Sequence, residues 1–334
     1  MTFKQMAALL QKFKRRRILV VGDLMLDRFI YGAVTRISPE APVPVVRVTR
    51  EISVPGGASN VAHNIRTLGG HAAVGGFLGK DSEGVELRRL MKQANLDVAC
   101  AMMFPATKTI VKERIIAESQ QVVRVDFEPP VKWTPRRMEK FTTMLSRKLD
   151  LADGVIIEDY GKGVVTQDVA DLILEKAAAK KIPVGLDPKE GRELGFKGIT
   201  VATPNRKEAF AIAGIIDPGP KDNPLTDKAL LKTGELLMKK WAARHLAITL
   251  GAQGMFLLSH EKAPMHLPTH AQEVFDVSGA GDTVIAACVT ALAAGANFTE
   301  AAYVANMAAG VVVGKLGTAS CTPEELLAHR KGSG

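Results

Sequence analysis

The sequence predicts an α/β fold: a central, mostly parallel β-sheet with helices on both faces, and a small β-sheet lid lying across it. Three observations carry the general architecture. Short β-branched runs alternate with helix-like runs through most of the 334 residues, the pattern of successive βα units. The strand-like runs are apolar without alternation, as expected of strands covered on both faces. Two segments, about 33–50 and 108–127, break the rhythm with the alternation of half-exposed strands. With 46% apolar residues the chain can bury one large core, so a single domain over 1–330 is expected.

The elements follow in order. Arg17–Val21 is a short strand, stopped by Gly22. The stretch Gly57–Leu68 has helical spacing and ends at Gly69-Gly70, a C-terminal stop. Ala73–Leu78 reads as a strand and Ser82–Ala94 as an amphipathic helix. Val155–Ile157, Val184–Leu186, Thr200–Ala202 and Leu246–Thr249 read as buried parallel strands. Helical patterns lie between them, near 135–149, 166–180, 205–213 and 226–243. Pro42–Arg50 and the two halves of Thr109–Phe127 read as antiparallel strands, forming a lid or a dimer surface. The prolines and glycine at 218–224 mark a surface loop.

Composition narrows the function classes. A net charge of +9 suits an anionic substrate or a nucleic acid equally well. Part of the excess sits in Lys12, Lys14, Arg15, Arg16 and Arg17, read as a solvated lead-in to the first strand. Three cysteines without paired spacing argue against a disulfide framework or a zinc site and fit a reducing, cytoplasmic setting. The N-terminus carries its charges after its apolar residues, the reverse of a signal peptide. The run 283–294 is shorter than the roughly 18–20 residues of a membrane span and reads as a core helix. Seven histidines show no ligand spacing, so no direct metal ligand is expected from them.

The richest segment is 276–283, Asp-Val-Ser-Gly-Ala-Gly-Asp-Thr. Gly279, Ala280 and Gly281 leave backbone N–H groups unobstructed at the start of a helix, where anions bind. Asp282 beside such a site is either a helix cap or a general base meeting a hydroxyl. Gly56, Gly57 and Asn60 open another helix and read as a tight turn with an Asn cap or as a sugar-hydroxyl site. Asp23 and Asp27 follow the first strand, where open α/β sheets bind ligands, although either can cap. Asn205 and Glu208 have the spacing of a capping box, and also place an amide and a carboxylate where they can hold Mg²⁺ through its waters. Thr249, Gly251 and Gly254 form a turn after a strand that can admit a nucleotide. Lys112, Arg114, Lys162, Lys189 and Arg192 are each ordinary surface charges, yet together they suit a phosphorylated substrate.

Gly56-Gly57 with Asn60, Asn205 with Glu208, and Asp276 through Asp282 together resemble the signatures of the ribokinase (PfkB) carbohydrate kinases, in family order and over roughly 15–325. Gly22–Arg28, Arg36–Val46, Gln272–Val284 and Ala309–Thr318 are similar, more narrowly, to the kinase half of bacterial lipopolysaccharide heptose enzymes. That resemblance implies ATP-dependent phosphorylation of D-glycero-β-D-manno-heptose 7-phosphate at the anomeric hydroxyl, giving the 1,7-bisphosphate.

Carried over by residue, it implies Asp282 as base and Gly279, Ala280 and Gly281 as anion hole. Asn205 and Glu208 would organise ATP and Mg²⁺, with Asn306 near the adenine, alongside the turn of Thr249, Gly251 and Gly254 read above as a nucleotide site. Asp27, Gly56, Gly57 and Asn60 would bind the sugar. Lys112, Lys162 and Lys189, with Arg114 and Arg192 behind them, are expected at its phosphate from the basic balance of the chain and their positions after strands or on the lid. A monovalent cation, K⁺, near Asp276, Ser278 and Gly317 is implied by the same analogy; a homodimer through the lid strands is expected from the exposed apolar face of those valine-rich segments. A separate nucleotidyltransferase is expected to act downstream; no nucleic-acid or membrane partner is expected. Met25 stands where the family often has a sugar-binding Asn, and the Gly56–Asn60 stretch is one residue short of the usual spacing. Both departures point away from a ribose pocket. Another sugar-phosphate or nucleoside kinase of the family, or a non-catalytic nucleotide- or nucleic-acid-binding protein, are the competing readings.

Overall fold

A computed structural model describes all residues except 106, 119, 130, 132, 271–276, 316, 318 and 333–334, and only the backbone of 331 and 332. Among the described residues the main sheet has nine strands. Its parallel strands, in spatial order, are β11 (His245–Thr249), β10 (Val201–Ala202), β9 (Val184–Asp187), β8 (Gly154–Glu158), β1 (Arg17–Gly22), β4 (His71–Gly79) and β5 (Asp97–Phe104). Two antiparallel strands, β12 (Met255–Ser259) and β13 (Lys262–Leu267), complete the β11 edge.

Each parallel strand feeds alternate residues into two separate cores. Ile18 and Val20 of β1 pack into one, Leu19 and Val21 into the other. The first core is closed by α1 (Phe3–Phe13), α2 (Ala58–Thr67), α3 (Ser82–Gln93), α8 (Ala280–Ala293) and α9 (Phe298–Val313). The second is closed by α4 (Pro135–Leu149), α5 (Gln167–Lys180), α6 (Arg206–Ala213) and α7 (Lys228–Trp241). This burial on both faces is why the strands show no polar alternation. α8 is buried along nearly its whole length, which accounts for its uniform apolar, alanine-rich sequence.

The lid differs from expectation in two ways. It is a four-stranded sheet ordered β3 (Pro44–Gly57), β2 (Leu24–Ile37), β6 (Ile110–Ala117), β7 (Gln120–Phe127), so its first two strands extend beyond 33–50, β2 beginning almost directly after β1. The first half of β2 is buried on both faces, which hides the alternation that marks a lid strand. The β2–β6 pairing is also parallel, not antiparallel. The chain leaves β3, completes α2, β4, α3 and β5, and returns through a long crossover, the connection that parallel pairing requires. Ile37, Val43, Val48, Val122, Val123 and Phe127 of the lid are exposed. Among the described residues no helix is long and apolar enough to cross a membrane.

Candidate active site

The C-terminal ends of β1, β8, β9, β10 and β11 converge beneath the N-terminus of α8, where an open parallel sheet places its ligands. Gly279 caps that helix in the left-handed region at φ 78° and offers no side chain to its amides, so the terminus is open to an anion. Asp282 lies in the first turn and is 6% exposed. Its Oδ2 accepts from Asn60 Nδ2 at 2.6 Å and its Oδ1 from the Tyr160 hydroxyl at 3.1 Å. Burial raises its carboxyl to about 6; these two hydrogen bonds oppose the rise, the Asp27 charge adds to it and Lys112 opposes it.

Asn60 is aimed by the turn before α2. Gly57 has φ 54°, and a Cβ there would stand 2.5 Å from the Asp23 carbonyl oxygen, so only glycine fits. α2 is fixed against α8 by the Thr283 hydroxyl, which donates to Asn64 Oδ1 at 2.9 Å. Asn60 thus gives one amide N–H to Asp282. Asp23, read from the sequence as a ligand or capping carboxylate, is turned toward backbone instead. It is fully buried and accepts backbone N–H bonds from Tyr160 (3.1 Å), Lys162 (2.9 Å) and Val164 (3.1 Å). It holds the 160–164 loop in place and so sets Tyr160 against Asp282.

Two carboxylates not singled out by the sequence complete the floor. Glu158 and Asp187 end adjacent strands in register, and one oxygen from each lies within 4.8 Å of the other and of Asp282. Both are pushed well above the usual carboxylate range, first by burial and then by neighbouring carboxylates. Glu158 is 1% exposed and its Oε2 has no hydrogen-bond partner. A buried, unsatisfied oxygen in an all-oxygen set fits a hard divalent cation such as Mg²⁺. Asn205 and Glu208 form the capping box the spacing predicts: Asn205 Oδ1 accepts from Glu208 N at 2.9 Å, and Glu208 Oε2 from Asn205 N at 3.1 Å. They nonetheless line the same cavity of about 200 Å³ with Glu158, Asp187 and Asp282.

A second cavity of about 440 Å³ adjoins the first through Thr249 and Gly281. Gly251, Gly254, Val284 and Asn306 also line it. Asn306 donates to the Pro268 carbonyl at 2.7 Å. An acidic cavity joined to a larger, mainly apolar one across an open helix terminus matches the layout of a nucleotide, phosphates at one end and base at the other. A larger cavity of about 540 Å³ lies at the opposite end of the strands, around His245 and Phe298. Its carboxylate, Glu261, is tied to Arg244, and burial lowers His245 to about 4. It has no base beside an open helix terminus, so the chemistry belongs to the first site.

The basic residues are all paired in this structure. Arg114 binds Asp27 at 3.0 Å, Lys112 and Lys162 share Glu128, and Lys189 lies 3.6 Å from Glu208. Arg192 binds Asp159 at 3.2 Å and the Val165 carbonyl at 2.7 Å, which makes it a structural tie. Asp27 sits beside Gly56, where a Cβ would stand 2.6 Å from Oδ2. Asp276, expected at a monovalent cation site with Ser278 and Gly317, lies outside the described residues. The overlooked residues, Glu158, Tyr160, Asp187 and Glu128, carried one legible signal: the first three stand at or just after strand ends on the ligand side of the sheet.

A carboxylate buried between an open helix terminus and an acidic cavity, on this sheet, is the arrangement of a phosphotransferase of the sugar-kinase class. The chain belongs to the pfkB family of carbohydrate kinases, whose model matches residues 15–325. It is 42% identical to the bifunctional protein HldE of Nitrosococcus oceani over 318 residues, 95% of this chain and 64% of that protein. With HldE of Proteus mirabilis it shares 42% over 322 residues, 96% of this chain and 65% of the other. The chain thus spans a little under two thirds of these relatives. Among solved structures it is similar to phosphofructokinase-2 from Escherichia coli in complex with substrates and products (TM-score 0.74, 20% identity, 95% and 99% of the two chains). It is also similar to Arabidopsis thaliana ribokinase complexed with ribose and ATP (TM-score 0.72, 18% identity, 95% and 99%). At these identities the structural likeness concerns the fold.

Proposed function

We propose that this chain transfers the γ-phosphoryl group of ATP to the anomeric hydroxyl of D-glycero-β-D-manno-heptose 7-phosphate. The observation that carries the reaction type is Asp282, buried and doubly hydrogen-bonded in the first turn of an uncapped helix. The choice of heptose is supported by the likeness to HldE proteins and by the heptose-kinase character of Gly22–Val46.

In this mechanism the sugar enters between the lid and α2, with its hydroxyl at Asp282. The carboxylate removes the hydroxyl proton as the oxygen attacks the γ-phosphorus. The bond to the β-phosphate bridging oxygen breaks in line, and ADP leaves with that oxygen. The amides of Gly279 and Gly281 donate to the equatorial oxygens, where charge develops, and that of Ala280 joins them on leaving the Val277 carbonyl, to which it donates at 3.2 Å. Glu158 and Asp187, with Asn205 and Glu208 beside them, would hold Mg²⁺, which would supply neutralisation of the phosphate charge. Lys112 and Lys162 face the substrate phosphate. The lid keeps water from competing with the sugar, and its exposed apolar residues form the surface of a homodimer.

The test is a coupled ADP-release assay with heptose 7-phosphate, set against other sugar phosphates, unphosphorylated sugars and nucleosides. Preference for the heptose phosphate supports the reading. Preference for another sugar replaces the substrate but keeps the class. ADP release with none of them, alongside salt-dependent retention on DNA or RNA, overturns it.

A further inference from the structure

We propose that Glu128 is an internal anion occupying the site of the substrate's phosphate, which the substrate must displace to bind. The proposal rests on the reading above that the substrate is a sugar phosphate. Glu128 directly follows β7 of the lid. Its Oε2 lies 2.5 Å from Lys162 Nζ and its Oε1 3.6 Å from Lys112 Nζ. The two lysines come from different bodies: Lys112 from lid strand β6, Lys162 from the core loop anchored by Asp23. Among the described residues neither ammonium has another ion pair. Lys112 also stands 5.5 Å from the centre of the Tyr160 ring, whose hydroxyl donates to Asp282. The cation pair is therefore one side chain from the base.

Two ammonium groups sharing one carboxylate leave a net positive charge. A phosphomonoester dianion neutralises both and accepts more charge-assisted hydrogen bonds than a carboxylate. A neutral sugar offers nothing to displace Glu128, so the carboxylate selects against unphosphorylated sugars by competition. All three side chains are only partly buried, at 14%, 25% and 27% exposure, so Glu128 can swing to solvent. Its departure frees the lid from Lys162 until the substrate's phosphate bridges the same two lysines.

The experiment measures the binding of inorganic phosphate, and the KM for heptose 7-phosphate, in the full chain and in Glu128→Gln. Displacement predicts that both tighten by about 3–10-fold, the scale of a partly exposed charge pair. Adding Lys162→Met to Glu128→Gln should abolish the gain. Unchanged or weaker phosphate binding in Glu128→Gln overturns the proposal, because a carboxylate that merely orients the lysines would be missed. A gain that survives Lys162→Met also overturns it, because the phosphate then sits elsewhere. If the unmodified protein does not turn over heptose 7-phosphate while Glu128→Gln still tightens inorganic phosphate through Lys162, the substrate reading fails and the displaced-anion site stands.

Discussion

The Tyr160 hydroxyl donates to Asp282 Oδ1 across 122 positions of sequence. With Asn60 on the other oxygen, it leaves the carboxylate with a fixed plane and one lone pair on each oxygen for a substrate proton. Tyr160 stays neutral, because burial and the Asp282 charge raise its phenol well above its ordinary value. It acts on the base by position and by hydrogen bond.

Removing that bond should move the pH profile. With Asp282 near 6, kcat/KM should fall on the acid side as the base is protonated. The Tyr160 bond favours the charged form, so Tyr160→Phe should shift this limb to higher pH and recover activity as pH rises. A profile whose acid limb stays in place would show that Tyr160 does not act on Asp282.

Replacing the base separates function from stability. Asp282→Asn should lose about 10²–10⁴-fold in kcat, the usual range for a general base. The folded protein binds the Asp282 proton more tightly than the unfolded chain, so this group's stabilising effect is present below about pH 4 and is lost as pH rises through about 6. A rise from 3.8 to about 6 corresponds to about 3 kcal/mol of penalty at neutral pH. Asp282→Asn should therefore unfold at higher denaturant than the unmodified protein at pH 7.5, with the difference vanishing near pH 4. Near-normal kcat would remove Asp282 from the chemistry.

Asp23 gathers three backbone N–H groups in a fully buried position. Asp23→Ala leaves those donors unpaired and should cost about 2–4 kcal/mol. Because the same loop carries Tyr160, activity per folded molecule should fall as well, measured alongside the unfolding curve. Stability lost with activity intact would confine Asp23 to folding.

The carboxylate floor makes its own prediction. Glu158→Gln should weaken Mn²⁺ binding, read by electron paramagnetic resonance, by roughly tenfold or more, since a charged ligand is replaced by a neutral one. Equal Mn²⁺ affinity would assign the ion to other groups.

The lid's apolar surface predicts association. Val48 is 56% exposed, and Val48→Asp should convert a dimer to a monomer in light scattering at micromolar concentration. An unmodified chain already monomeric there would place the dimer surface out of use.

Much of the fold was legible because local physics repeats along the chain. The run Val184–Leu186 and the helix near 135–149 could be read within about a residue of β9 and α4, since burial on both faces or amphipathic spacing marks them without outside help. β2 was not legible as one strand, because its buried half lacks alternation. The Asn205–Glu208 pair illustrates a different limit. Its spacing stated both a capping box and a ligand site, and the structure realises the cap while facing the same groups into the acidic cavity.

The sequence by itself determined the glycine-rich opening of α8, the alternation of strands and helices, and the presence of Asp282 at a helix start, all set by contacts within a few residues. Tertiary structure alone decided what Asp282 touches. Asn60, Asp187 and the Glu158–Tyr160 stretch come from three separate segments, and only the packing of parallel strand ends beneath α8 brings them together. The elevated pKa of the base arises there too, because desolvation depends on what surrounds a carboxylate and not on its neighbours in the chain.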